Sequence, residues 1–226
     1  SAKRRRAVMR FPALSPGFDE YPAVPFYTED KRRFYYDSSS LAQHLDLHPA
    51  RHAAALVPPS PPLAFVCRLV DEAFDEFGLY MVHHMRWVGS ARTTPMGDMT
   101  ASELRPLLPP GFAPLVARSL YRRQVKRCPY LFSVAPENYD AGVSRARTPP
   151  SRAGFPSTHA LLEQAWRGYL AAMEQVLTVQ PYLLGERFTL ADASAYGQLG
   201  MNLVDPEAIV LLEQLAPRTF RWLCAI

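Results

Sequence analysis

The sequence predicts two fold classes in tandem, an α/β segment followed by an all-α domain, and three observations carry this. Proline is about twice as frequent as average, 22 of 226 residues, yet it is absent from 26–48, 63–94, 157–180 and 182–205. Because proline removes a backbone donor and blocks a helix interior, the proline-free windows are the elements and the clusters are connections. Strand-type residues (Val24, Phe26, Phe34, Tyr35, Tyr36) occur before Pro49. After it, Ala and Leu are abundant while isoleucine occurs only at Ile209 and Ile226, which favours helices over a large sheet.

Taken in chain order, the strand residues flank a polar turn at Thr28–Arg33 and predict a short β-hairpin, with a helix over about 39–47 to follow. Pro58, Pro59, Pro61 and Pro62 mark a linker. In 63–88 the apolar residues Val66, Val70, Ala73, Phe77, Met81 and Val88 recur at three- and four-residue steps, with Asp71, Glu72, Asp75 and Glu76 opposite. One long amphipathic helix with that stripe inward is expected. A shorter helix is expected at 115–127, where Arg122 to Arg127 sit at a cation-favouring C-terminus. A second long one should follow Ser157 and Thr158, both suitable N-caps. The Pro-rich stretches 95–114 and 128–156 read as irregular connections. The expected organisation is 1–48, a linker at 49–62, and a helical domain at 63–226.

Composition narrows function by exclusion. Hydrophobic residues make up 48% and charged residues 20% of the chain, a globular composition. Three cysteines far apart give neither a disulfide framework nor paired zinc spacing, so a reducing, cytoplasmic setting is expected. The net charge of +4 is concentrated at Lys3–Arg6 and Arg122–Arg127, and solvated helix faces account for it without nucleic acid. No apolar run is long enough to span a membrane. The chain opens at Ser1 without an initiator Met and closes inside an apolar run, so both ends are expected to be cut.

Several residues invite a chemical role. His44, His48 and His52 are four apart, but Pro49 interrupts any shared helical face and no carboxylate completes a set, so no metal is expected. Cys67 lies among apolar neighbours as a small hydrophobe. At Asp37-Ser38 an acid and a hydroxyl open a helix, which suits an anionic group or serves as a plain cap. No Gly-rich phosphate loop or supported Ser-His-Asp order is present. Thr189 and Asp192 stand at N-cap and N3 of a helix, a capping box with Phe188 at the staple position.

That box lies within Tyr182-Leu-Leu-Gly-Glu-Arg-Phe-Thr-Leu-Ala-Asp-Ala-Ser-Ala-Tyr196, which resembles the signature of the C-terminal helical domain of glutathione transferases. Together with Val24-Pro25 and Asp37-Ser38, the chain is similar to that family over 24–47, 63–88 and 157–226. The resemblance implies a partial thioredoxin-like glutathione-binding segment followed by a glutathione-transferase-type helical bundle. It implies glutathione as co-substrate, a hydrophobic small-molecule electrophile, a homodimer and a detoxification role. Val24 would pair with the cysteinyl part of glutathione, Pro25 would be cis, and Asp37 and Ser38 would hold the γ-glutamyl end. Tyr80, His84 and Trp87 on the long helix would line the acceptor pocket. Thr189 and Asp192 would be structural. The family's catalytic Ser, Tyr or Cys lies upstream of the cis-proline, and no residue here inherits that role. The alternative is a non-catalytic transferase-like interaction module.

Overall fold

A computed structural model describes residues 26–27, 35–48, 54–92, 96–140 and 154–226. The chain divides into two units, Ser1–Ala54 and Ala55–Ile226. In the first, β1 (Phe26–Tyr27) and β2 (Tyr35–Tyr36) pair antiparallel, with Phe26 opposite Tyr36 and Tyr27 opposite Tyr35. Helix α1 (Ser38–Leu47) follows. Val24, Pro25, His52 and the Lys3–Arg6 run lie outside the described residues.

The second unit is helical. A continuous rod runs from α2 (Pro61–Glu72) through a π-helical stretch (Ala73–Gly78), α3 (Leu79–His84), a second π-helical stretch (Met85–Gly89) and a 3₁₀ turn (Ser90–Arg92). Pro61 and Pro62 open it, where a missing N–H costs nothing. The inward face, however, is Cys67, Asp71, Phe74, Gly78, Met81, Met85 and Val88. Val66 is 39% and Phe77 61% exposed, so the expected stripe is corrected by one residue over its first half. The periodicity is helical as expected, but the buried set contains an acid and a glycine. The Ser194 hydroxyl donates to the Asp71 carboxylate, which makes burial of that acid tolerable. At Gly78 a Cβ would stand 3.2 Å from Gln198 Cγ, so glycine there permits a close helix approach.

Next come α4 (Met96–Glu103), a 3₁₀ turn (Arg105–Leu107) and α5 (Ala113–Arg127). Helix α4 falls where an irregular connection was expected. Its buried Met96 and Ala101 pack beneath α5, and a Cβ at Gly97 would lie 2.8 Å from the Ala117 carbonyl oxygen and inside contact with the Tyr121 ring. The glycine that reads as a loop signal is the seat of a helix–helix contact. Met96, Trp87, Tyr121 and Val125 form a small separate core.

A 3₁₀ turn (Cys128–Leu131) ends at Phe132 in the left-handed region, φ 56°. The Ser133 N–H then returns to the Cys128 carbonyl at 2.8 Å. The remaining helices are α6 (His159–Val179), α7 (Leu190–Leu199), α8 (Pro206–Leu215) and α9 (Pro217–Ala225). Thr158 is the N-cap residue of α6 but makes no cap hydrogen bond. Its hydroxyl accepts from the Val134 N–H at 2.9 Å and donates to the Phe132 carbonyl, tying the preceding turn to the helix start instead.

The main core joins Phe74, Met81, Val82 and Met85 of the rod to Leu162, Trp166, Leu170 and Met173 of α6, with Leu199, Leu212, Trp222 and Leu223 closing it. Polar ties lock its periphery. Trp166 donates to Asn202 Oδ1 at 3.2 Å, and Asn202 donates to Asp205 Oδ2 at 2.7 Å. Arg86 Nε stands 3.6 Å from the other Asp205 oxygen. Glu174 on α6 accepts from the Arg218 and Thr219 N–H groups, each at 3.0 Å, and so caps α9 from a neighbouring helix. No helix of the described residues is long and apolar enough to cross a membrane.

Candidate functional site

In the first unit the site candidate is the turn that starts α1. Asp37 has φ 77° and ψ 135°, a conformation that costs a non-glycine residue about 1–3 kcal/mol. Its carbonyl accepts the Leu41 N–H at 3.1 Å, while its side chain makes no cap hydrogen bond. A capping role would use that carboxylate on the helix, and here it is not so used. The strained backbone instead presents an acid beside the Ser38 hydroxyl, at the positive end of a ten-residue helix.

In the second unit Tyr80, His84 and Trp87 share the rod but differ in burial. His84 is fully buried and Trp87 nearly so, whereas Tyr80 is half-buried and meets the Phe132 ring at 5.0 Å. Sequence reasoning missed the network around His84. The His84 Nδ1 lies 2.8 Å from the Ser133 hydroxyl oxygen and its Nε2 3.5 Å from Glu163 Oε1. His159 stacks edge-on at 4.7 Å, and Tyr139 stands against His159 at 4.8 Å. The order hydroxyl, imidazole, carboxylate resembles a nucleophile relay, yet Ser133 and His84 both have no exposed surface, so a substrate carbonyl cannot reach the hydroxyl. The network joins three segments. No local signal in the sequence could have paired residues 49 and 79 positions apart.

The neighbouring His83 is pushed down to about 4, chiefly by burial, against the bond that its Nε2–H donates to Gln124 Oε1 at 3.1 Å, which favours the charged form. Burial pushes the Cys128 thiol up to about 12, so it is no thiolate nucleophile at neutral pH. Cys67 is fully buried, with Sγ 4.0 Å from the Leu56 carbonyl, and Cys224 is exposed. His44 and His48 sit with ring centroids 5.9 Å apart. Among the described residues no group of three His, Cys, Asp or Glu side chains could hold a metal.

The capping residues are the most tightly held. Asp192 Oδ2 accepts from the Thr189 N–H at 2.8 Å and the Thr189 hydroxyl at 2.7 Å, while Oδ1 accepts from the Leu183 N–H at 2.8 Å. Thr189 completes the box to N3. Gly185, at φ 123°, lets the chain reverse so that Leu183 can reach Asp192. Beside this turn lies an apolar cleft of about 430 Å³, lined by Val70, Phe74, Tyr169, Met173 and Leu183 among others. Burial raises the Tyr169 hydroxyl above its usual range.

The second unit is an all-α domain with a buried capping box at α7 and a long α6 across its core. The family model described as glutathione S-transferase, C-terminal domain, matches residues 150–226, which spans α6 to α9. That part of the chain is similar to the C-terminal domain of glutathione S-transferases. No curated protein and no solved structure matched the chain.

Proposed function

We propose that the protein is a glutathione transferase in which the α1 turn takes the γ-glutamyl end of glutathione. The observation that carries this is the strained Asp37, whose carboxylate is not used to cap its own helix. The γ-glutamyl group is a zwitterion. Its ammonium fits the Asp37 carboxylate, and its carboxylate fits the Ser38 hydroxyl and the helix N-terminus. Upstream, Val24 and Pro25 would hold the cysteinyl part by backbone pairing. Glutathione then serves as a thiol co-substrate whose sulfur attacks a hydrophobic electrophile, the thiolate being the reactive form. Asp37 and Ser38 bind and orient; thiol activation is not assigned to them. Of the three acceptor-side candidates, Tyr80 keeps the most exposed surface, so it is the one assigned to meet the electrophile.

Calorimetric titration with glutathione, and with cysteinylglycine as the ligand lacking the γ-glutamyl group, tests this. Ser38→Ala should weaken glutathione binding by about 1–3 kcal/mol and leave cysteinylglycine unaffected. Equal glutathione affinity in Ser38→Ala, Asp37→Asn and the parent would refute the assignment.

A further inference from the structure

The hairpin of α4 and α5, with its connecting turn, stands apart from the rest of the fold in charge. Residues 96–127 carry six cations (Arg105, Arg118, Arg122, Arg123, Lys126, Arg127) and two carboxylates (Asp98, Glu103). Its net +4 equals that of the whole chain, so the remainder is neutral. Helix α5 contains no acidic residue. Leu115, Arg118, Arg122 and Lys126, at steps of three and four, share one exposed stripe. Among the described residues no carboxylate pairs with Arg118, Arg122, Arg123 or Lys126.

The turning end of the same hairpin is apolar. Leu107 is 71%, Leu115 61% and Phe112 50% exposed, with Leu104 beside them. The chain there is stiffened by Pro106, Pro109, Pro110 and Pro114, and a cleft of about 480 Å³ opens between Arg105 and Pro114. Large aliphatic side chains held in water at a rigid tip, with cations on the adjoining helix face, match a partner that is apolar within and anionic at its surface. A lipid bilayer has that order. A single-stranded nucleic acid could stack on the rings of Tyr130 and Phe132, exposed just past α5, but would leave the aliphatic tip of Leu107 and Leu115 in water, whereas a bilayer takes up both the tip and the cations.

We propose that the α4–α5 hairpin docks the protein on anionic membrane surfaces, with Leu107, Phe112 and Leu115 entering the interface and Arg118, Arg122 and Lys126 meeting lipid phosphates. The hairpin lies on the bilayer surface. This is independent of the glutathione site.

Flotation of the full chain with vesicles of phosphatidylcholine alone, or of phosphatidylcholine with phosphatidylglycerol, tests the proposal. Partition is expected only into the anionic vesicles, and it should weaken as salt is raised. Replacing Arg122 and Lys126 together by Ala should lower partition about 30-fold, since each cation near an anionic leaflet contributes roughly a fivefold factor. Leu107→Asp, and independently Phe112→Asp, should abolish it while leaving the melting temperature unchanged, because both side chains face water. Absence of partition into anionic vesicles, equal partition into neutral ones, or partition undiminished in the tip variants overturns the proposal. So does binding of a single-stranded oligonucleotide that the tip variants retain in the absence of vesicle binding.

Discussion

The bundle of α6 to α9 and the hairpin of α4 and α5 are both antiparallel helical arrangements built largely from Leu, Ala and Arg, but they treat their polar and apolar groups in opposite ways. In the bundle, carboxylates are turned inward onto other parts of the chain: Asp192 onto the Leu183 N–H, Glu174 onto the Arg218 and Thr219 N–H groups, and Asp205 onto the Asn202 side-chain amide. In the hairpin, the cations face solvent and the largest aliphatics stand at the tip. The bundle's recognition is directed at itself. The hairpin turns its cations outward and is held to the rest of the domain by its small core around Trp87 and by bonds that include His83 Nε2–H to Gln124 Oε1.

The sharpest way to break this contrast is to truncate one leucine in each region. Leu170 has no exposed surface and sits at the centre of the main core, so Leu170→Ala should cost about 2–5 kcal/mol. Leu107→Ala at the tip should change stability by less than about 0.5 kcal/mol. Chemical denaturation of the two variants reads the difference directly, and similar midpoints would mean that the tip is not a free surface.

Acid addresses the joint between the regions. Burial, helped by the neighbouring His84, Arg127 and Arg86 charges, holds His83 down at about 4, below its ordinary 6.5, against the opposing Gln124 hydrogen bond. The unfolded chain therefore takes up this proton first. Stability is full above pH 6.5, falls as the pH drops toward 4, and stops changing from this source below that, by about 3 kcal/mol in all. Denaturation midpoints measured across that window should slope downward in the parent and flatten in His83→Gln.

A smaller effect isolates the hairpin itself. Alanine normally stabilises a helix over glycine, but at Gly97 the added methyl meets the Ala117 carbonyl oxygen and the Tyr121 ring. Gly97→Ala should destabilise by about 1–3 kcal/mol, and a near-ultraviolet signal from Tyr121 and Trp87 should change with it. A stabilised variant would show that α4 does not pack as described.

What the sequence reveals about this fold follows how far apart the interacting residues are. Thr189 and Asp192 interact within one helical turn, so residue types and spacing alone suggest the box. The rod's periodicity is equally local and legible, but its inward face is not. Asp71 reads as a solvent residue because its partner, Ser194, is 123 positions away. Phe77 reads as core because nothing nearby says that Gly78 must take the buried place. Helix α4 stays hidden for a related reason: Pro95 and Gly97 carry loop signals, and only the approach of Ala117 and Tyr121 turns the glycine into a packing residue. At the α1 turn, the residue types at Asp37-Ser38 are legible, while the positive φ of Asp37 and the lack of a side-chain cap bond are visible only in three dimensions.

The burial of Cys67 and Cys128, set against the exposure of Cys224, gives the molecule a built-in clock. A thiol reagent should modify Cys224 at once, whereas the other two sulfurs become reachable only when the domain opens around them, and at neutral pH Cys128 is further silenced by its thiol pKa of about 12. The slow labelling phases then time distinct openings, since Cys67 lies under the Leu56 segment and Cys128 at the end of α5 where the hairpin meets the rod. If the hairpin opens independently of the bundle, Cys128 should be modified ahead of Cys67, and the ratio of the two rates measures how loosely that arm is hinged.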